Sequence, residues 1–297
     1  MDDPNRPARK PWCETGPWCA NVRLVSGALH PQPSLYAAIA ASSFRRYSTY
    51  TAATLAGIFT NSVFGIILSF AYLALWEQNP TAGGYEAQQA VTFVWIGQAL
   101  LMTIALWSGG STDDLAERIR NGDIAVDLYR PVSVLGWYLA ADLGRALYHF
   151  LTRGVAPTVV GALVFGLVLP SPLGAVGFVV SVALAVVVSF AVRFLFAASA
   201  FWILDATGPR VLLSVMATFF SGLTLPLTLF PDGLRQVALG LPFASYIQTP
   251  ADIWLGRRAG AEMYAALGLQ VFWAIALLGA CAFVLRAATR KVVVQGG

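Results

Sequence analysis

The sequence is short of charge. Only 11% of its 297 residues are Asp, Glu, Lys or Arg, where a soluble domain carries about 25%. The shortage is concentrated: stretches 47–76, 87–112, 211–231 and 263–285 hold no charged residue, and 154–204 holds only Arg193. Lysine occurs twice, at Lys10 and Lys291, and neither follows a glycine, which excludes a P-loop and so an ATP site on this chain. The two histidines, His30 and His149, are widely separated, so they build no metal site. Three cysteines (Cys13, Cys19, Cys281) supply no disulfide framework, and Cys13 and Cys19 lack the second pair that zinc needs. Cys281 falls in the last apolar run, as a small packed or lipid-facing residue. No catalytic residue, metal ligand or cofactor site is predicted.

What is present is apolar length. About 20 apolar residues span the roughly 30 Å hydrocarbon core of a bilayer, and a charge at the centre of such a span costs several kcal/mol. The pattern predicts an all-α integral membrane protein with six transmembrane helices, 54–76, 89–108, 152–169, 175–196, 210–230 and 264–285, in one domain over 34–291. The fourth helix extends towards Leu204. Residues 1–33, rich in Pro and Arg, read as a mobile cytoplasmic tail without the apolar core of a cleavable signal, and 292–297 as a short C-terminal tail. With both termini inside, only Arg235, Arg257 and Arg258 of the 19 Lys and Arg fall outside. That asymmetry predicts the orientation. The net charge of +4 is too modest to indicate nucleic acid.

The spans as drawn contain no Asp, Glu, His or Lys, whereas ion-coupled carriers and intramembrane enzymes need ionisable groups at depth. Arg193 lies near the inner end of the fourth span, where it is expected to snorkel. Of the polar residues near a membrane face only Asp142 and His149 approach a catalytic pair.

Four local patterns carry information. Ser34 predicts the cap of an interfacial helix reaching about residue 53, with Leu35, Tyr36 and Ile39 on one side. In the connection 109–151, Ser111, Thr112, Asp113 and Asp114 predict a helix N-terminus, with Glu117 at capping-box spacing from Asp114. Leu115 and Ile119 then share a face, Arg118 and Arg120 follow, and Asn121-Gly122 ends the helix. Such a helix is either a docking element for a partner or an ordinary solvated loop helix. Within 133–153, Asp142, Arg145, His149 and Arg153 recur at intervals of three, four and four, a polar stripe on an otherwise Leu- and aromatic-rich helix. The stripe either lines a vestibule or lies on a membrane-surface helix facing head groups, with Asp142 and Arg145 as a local pair. Finally, 230–243 is apolar but broken by Pro231, Gly233, Gly240 and Pro242, which predicts a re-entrant helical hairpin on the outer side, covered by protein.

The stretches Arg118-Ile119-Arg120-Asn121-Gly122-Asp123-Ile124 through Leu128-Tyr129-Arg130-Pro131, and Ser221-Gly222, Pro226, Phe230-Pro231 and Leu241-Pro242-Phe243, carry a resemblance. With the six-span layout, they make residues 34–291 similar to the permease subunit of bacterial type-2 ATP-binding-cassette exporters, in the branch associated with drug and viologen export. The resemblance implies a bacterial inner-membrane protein pairing with a second permease chain, identical or paralogous. It implies separately encoded cassette ATPases that bind ATP and magnesium and grip a coupling helix at 113–122. It further implies a pathway lined by spans one, two and five for a hydrophobic or amphipathic cargo. Phe64, Tyr72, Phe93, Trp95, Phe219 and Phe220 would then stack on cargo, or face lipid as aromatics in any span do. The alternatives are an ion-coupled carrier or passive channel working without an ATPase, and a purely structural membrane anchor.

Overall fold

The computed structural model describes residues 33–107, 110–203 and 207–292, and every regular element among them is a helix. Cys13, Cys19 and almost all of both expected tails lie outside these residues. In chain order the helices are α1 (Pro33–Ser48), α2 (Thr51–Gln78), α3 (Ala87–Leu101), α4 (Ser111–Asn121), α5 (Ile124–Tyr129), α6 (Val134–Phe165), α7 (Pro172–Ile203), α8 (Thr207–Phe220), α9 (Asp232–Gly240), α10 (Gln248–Trp254) and α11 (Ala261–Val292). Four are long and apolar enough to cross a bilayer: α2, α6, α7 and α11. Burial sorts them. In α7 61% of the apolar window is inside the protein, against 17% in α11 and 22% in α2, so α7 is the central post and the others face outward.

The predicted interfacial helix stops at Ser48 instead of about residue 53. The hydroxyls of Ser48 and Thr49 bond back to the carbonyls of Arg45 and Arg46, at 2.8 and 2.7 Å, and close the last turn. α1 lies along α6, with the carbonyl of Ala40 so close to Gly144 that a Cβ there would meet it at 2.0 Å. α2 then runs uninterrupted to Gln78 before Asn79-Pro80, a pair that disfavours further helix.

The structure redraws three expected segments. The segment 133–150 is not a separate surface helix; it is the first half of α6, continuous with the third span through a π turn at Phe150–Gly154. Pro157 supplies the physical reason for that turn, since its missing N–H and its ring disrupt the regular bond to residue 153. Span three also ends at Phe165, where Gly166 takes a left-handed conformation. Span two is the 15-residue α3, about 22 Å long, and it is buried almost throughout. After Leu101 the chain turns through 102–106, with Ala105 at φ +50. Span five is α8, which stops at Phe220 because the chain turns at Gly222 (φ +88) and Pro226 follows.

The predicted hairpin is correspondingly longer. From Ser221 to Trp254 the chain forms short turns at Leu227–Leu229 and Pro242–Ser245 together with α9 and α10, Pro231 preceding α9 and Pro242 opening the second turn. Gln248 stitches it: its backbone N–H donates to Ser221, and its Oε1 accepts from the backbone of Leu227 at 2.8 Å. The irregular backbone thereby finds its hydrogen bonds within the protein.

Candidate functional site

Asp142 of α6 is completely buried. Arg145, one turn along, donates Nε to one carboxylate oxygen at 2.9 Å, and Arg193 of α7 donates to the other at 2.6 Å. Arg145 also donates to the carbonyls of Met102 and Thr103, at 2.6 and 2.8 Å, while Ser189 takes the carbonyl of Ile104. These are carbonyls released where α3 ends. Arg193 reaches in addition the hydroxyl of Thr112 in the first turn of α4, at 3.2 Å. Gly110, which precedes α4, sits directly on this cluster at φ +103. A Cβ there would lie 2.7 Å from the Asp142 carboxylate and 3.0 Å from Arg193. Both the conformation and the space therefore require glycine.

One carboxylate thus ties the end of α3, the start of α4, α6 and α7 together. Burying three charges is costly, and only pairing and near-complete hydrogen bonding offset that cost. The expected Asp142–Arg145 pair is present, but it faces the bundle and not head groups, because α6 is a membrane-length helix packed on α7. Arg193 does not snorkel; it turns inward onto Asp142. The third span as drawn begins at 152 and leaves Asp142 out, whereas the helix that carries it reaches back to Val134. Asp142 is inside a 32-residue apolar helix, clamped between two guanidinium groups. The rest of the stripe lies elsewhere. His149 packs edge-on against Tyr47 of α1, with ring centroids 5.2 Å apart, and Arg153 lies across Gly57 of α2.

α4 is an amphipathic helix, with acids Asp113 and Asp114 in its first turn and Gly122 as a left-handed C-cap. Its predicted Asp114–Glu117 capping box does not form, since the helix starts earlier, at Ser111, and Gly110 occupies the cap. Ser111 instead anchors the start by donating to the carbonyl of Tyr138 at 2.8 Å. Leu115 and Ile119 face inward, with Ala116, onto Phe190 and Phe194 of α7 and Tyr138 of α6. Arg118 is also internal in role: it makes a two-pronged bond to Asp127 of α5, at 2.6 and 3.1 Å, and Tyr138 and Arg130 complete that carboxylate's shell. The Asp127 bond raises the Arg118 pKa above its ordinary value, as the Asp114 bond does for Arg46. Exposed ion pairs add Arg46 of α1 to Asp114 at 3.2 Å and Arg210 of α8 to Asp113 at 3.7 Å.

Exposed on α4 are Asp114, Glu117, Arg120 and Asn121, followed by the exposed cap Gly122. On the adjoining α5, Val126 is 57% and Tyr129 90% exposed. An aromatic ring so bare beside a charged helix face suits contact with another molecule. Sequence reasoning missed Asp127, Thr112, Val126 and Tyr129 as contributors. Asp127 offered no periodic signal, while Val126 and Tyr129 stood out only as apolar residues in a polar connection.

The opposite end carries a second buried carboxylate. Asp252 of α10 accepts from Tyr85 at 2.6 Å and from Gln248 at 3.0 Å, and Arg257 and Arg258 approach at 3.9 and 3.5 Å. The Arg257 guanidinium lies over the Tyr85 ring at 4.0 Å.

The six aromatics expected to meet cargo do not converge. Tyr72, Phe93 and Trp95 are core residues. Phe64 and Phe219 are exposed, and Phe220 packs on Phe243. Along α8, Trp107, Ser214, Val215, Thr218, Phe219 and Thr224 line an open groove of about 310 Å³, with Trp107 bonded to Thr218 at 2.8 Å. Cys281 is packed, its thiol against the carbonyl of Ala191. Among the described residues no group of three or more His, Cys, Asp or Glu is placed to hold a metal.

A comparison with curated proteins finds no match. A comparison with protein families matches residues 61–296 to the model described as ABC-2 family transporter protein. That match runs from the middle of α2 across every later helix and covers well over half of the chain. A multi-pass membrane protein built on these helices, the chain belongs to the ABC-2 family of transporter proteins.

Proposed function

We propose that this chain is the permease subunit of an ATP-driven exporter of the drug- and viologen-exporting kind, moving a hydrophobic or amphipathic compound out of a bacterial cell. In this reading α3 and α8 are the short second and fifth of six membrane segments, and both termini and the α4 end are cytoplasmic. Two such chains, identical or paralogous, pair in the inner membrane, and separate cassette ATPases bind ATP and magnesium.

The observation that carries the reading is the mounting of α4. Its inner face and both ends are locked to α1, α5, α6, α7 and α8 by apolar packing and ion pairs, while Glu117, Arg120, Val126 and Tyr129 are left outward. A push on that outer surface cannot be absorbed locally. It passes through Thr112 and Gly110 to Arg193 and Asp142, and through Arg145 to the open end of α3. In this reading the docking residues are those of the outer surface, since Leu115 and Ile119 are buried, and span two, whose helix is buried, lines the pathway less than expected. The α8 groove and the exposed faces of α2 and α8 remain as the pathway side.

The test uses inside-out vesicles containing this chain and a candidate cassette ATPase from the same genome. Uptake of a fluorescent amphipathic dye is expected to need ATP and magnesium. Arg120→Glu with Tyr129→Ala is expected to lower it by about tenfold or more, as for loss of an interface hot spot. Uptake that persists without any ATPase would favour a carrier or channel instead.

A further inference from the structure

Among the described residues Arg153 has no counter-ion. It is the cation of the π turn in α6, half-buried in the seam between α6 and α2, with its guanidinium lying across Gly57. Its Nε is buried without a hydrogen-bond partner, and so is Nδ1 of His149 one turn before it. The surrounding helices hold no acid to answer it. α1 and α3 contain no carboxylate, and that of α2, Glu77, lies 20 residues beyond Gly57, about 30 Å along the helix. The one acid of α6, Asp142, is already shared by Arg145 and Arg193. A side chain that merely snorkelled would free its nitrogens to water, whereas here Nε is enclosed. A hydroxyl pair, Thr54 of α2 and Tyr148 of α6, 2.8 Å apart, adds polar groups to the same seam. Outside it both helices are apolar, with Leu55 and Phe59 on α2 and Leu151 and Val155 on α6 exposed.

We propose that Arg153, with His149 and the Thr54–Tyr148 hydroxyls, forms a binding subsite for the anionic head group of an amphiphile, a phosphate or carboxylate, whose tail lies along the apolar surface of α2 and α6. A planar guanidinium backed by a glycine presents a fork that matches two oxygens of such a group. The π turn is what places Arg153 there, since one extra residue in the turn rotates it off the Asp142–Arg145 face. The head group belongs either to a membrane lipid or to the transported compound. The second case rests on the permease reading above, while binding itself does not.

The full chain, purified into phosphatidylcholine nanodiscs without an ATPase, tests the site. Dodecyl phosphate is expected to bind, and dodecyltrimethylammonium to bind much more weakly. Arg153→Gln is expected to weaken dodecyl phosphate by about tenfold or more, the loss that follows from removing a charge-assisted bond, while Arg153→Lys, which keeps the charge but loses the fork, falls between wild type and Arg153→Gln. Gly57→Ala, which displaces the guanidinium without removing it, is expected to weaken binding several-fold and guards against a folding defect in the first variant. Equal affinity in wild type and Arg153→Gln, or no preference for the anion, overturns the proposal. Native mass spectrometry with phosphatidylglycerol separates the sources. Retention lost in Arg153→Gln assigns a lipid. Indifference to phosphatidylglycerol, with Arg153-dependent stimulation of the partner ATPase by dodecyl phosphate, assigns the transported solute. Binding of dodecyl phosphate with indifference to phosphatidylglycerol and no ATPase response leaves the subsite standing and counts against the permease reading alone.

Discussion

The two ends of this molecule are built around the same device, a buried aspartate between two arginines, and use it differently. At the α4 end Asp142 is wholly enclosed, and its partners Arg145 and Arg193 are buried with it. Those arginines also cap the open end of α3 and hold the start of α4. At the other end Asp252 is buried, but Arg257 and Arg258 remain 26% and 23% exposed and stand at longer distances. There the shorter bonds come from neutral groups, Tyr85 and Gln248, and the network holds irregular backbone in place. The first cluster joins regular helices to one another; the second fastens the irregular segment that carries Asp252. The difference lies in how far the charges depend on each other for solvation.

Substitutions that break this comparison should show it in size. Asp142→Ala leaves two buried guanidiniums uncompensated and is expected to cost about 3–5 kcal/mol, read as a large fall in melting temperature of the purified chain in detergent. Leu115→Asp, which would bury an unpaired charge against Phe190 and Phe194, belongs in the same class. Asp252→Ala should cost less, about 1.5–3 kcal/mol, because its arginines retain water. A loss at Asp252 equal to that at Asp142 would erase the distinction. Tyr85→Phe removes two hydrogen bonds from the Asp252 network, one given to Asp252 and one accepted from Gln248, and is expected to cost about 1–2 kcal/mol. Smallest is Glu117→Gln on the outer face of α4, expected to leave stability within about 0.5 kcal/mol while, under the proposed function, lowering stimulation of a cassette ATPase. A melting shift as large as that of Tyr85→Phe would mean that the outer face is part of the fold.

Much of the fold was legible as spacing. The gaps between charges marked both ends of α2 and the starts of α7 and α11 to within three residues, while α7 runs on to Ile203 and α11 to Val292; Gly122 marked the end of α4. The polar stripe Asp142–Arg145–His149–Arg153 was visible by its helical period. Its meaning was not, because the stripe is divided by a π turn and because Arg193, the second clamp on Asp142, lies 51 residues away. Helical periodicity likewise placed Leu115 and Ile119 on one face but gave no sign whether that face meets a partner or the bundle. The lengths of the second and fifth spans were misjudged for one reason. A charge-free run shows where lipid or protein interior surrounds the chain, and both accept turns when neighbouring side chains satisfy the freed carbonyls, as Arg145 and Ser189 do after Leu101.

By itself, then, the sequence determined which segments avoid water: the uncharged runs, which meet hydrocarbon or the protein interior. Transfer free energy depends on composition along the chain and needs no knowledge of partners. Only the tertiary structure decided which charges are buried, which carbonyls they cap and which face of α4 is left outward. Those outcomes depend on pairings between helices far apart in sequence, where a few ångströms separate a clamped ion from an exposed one.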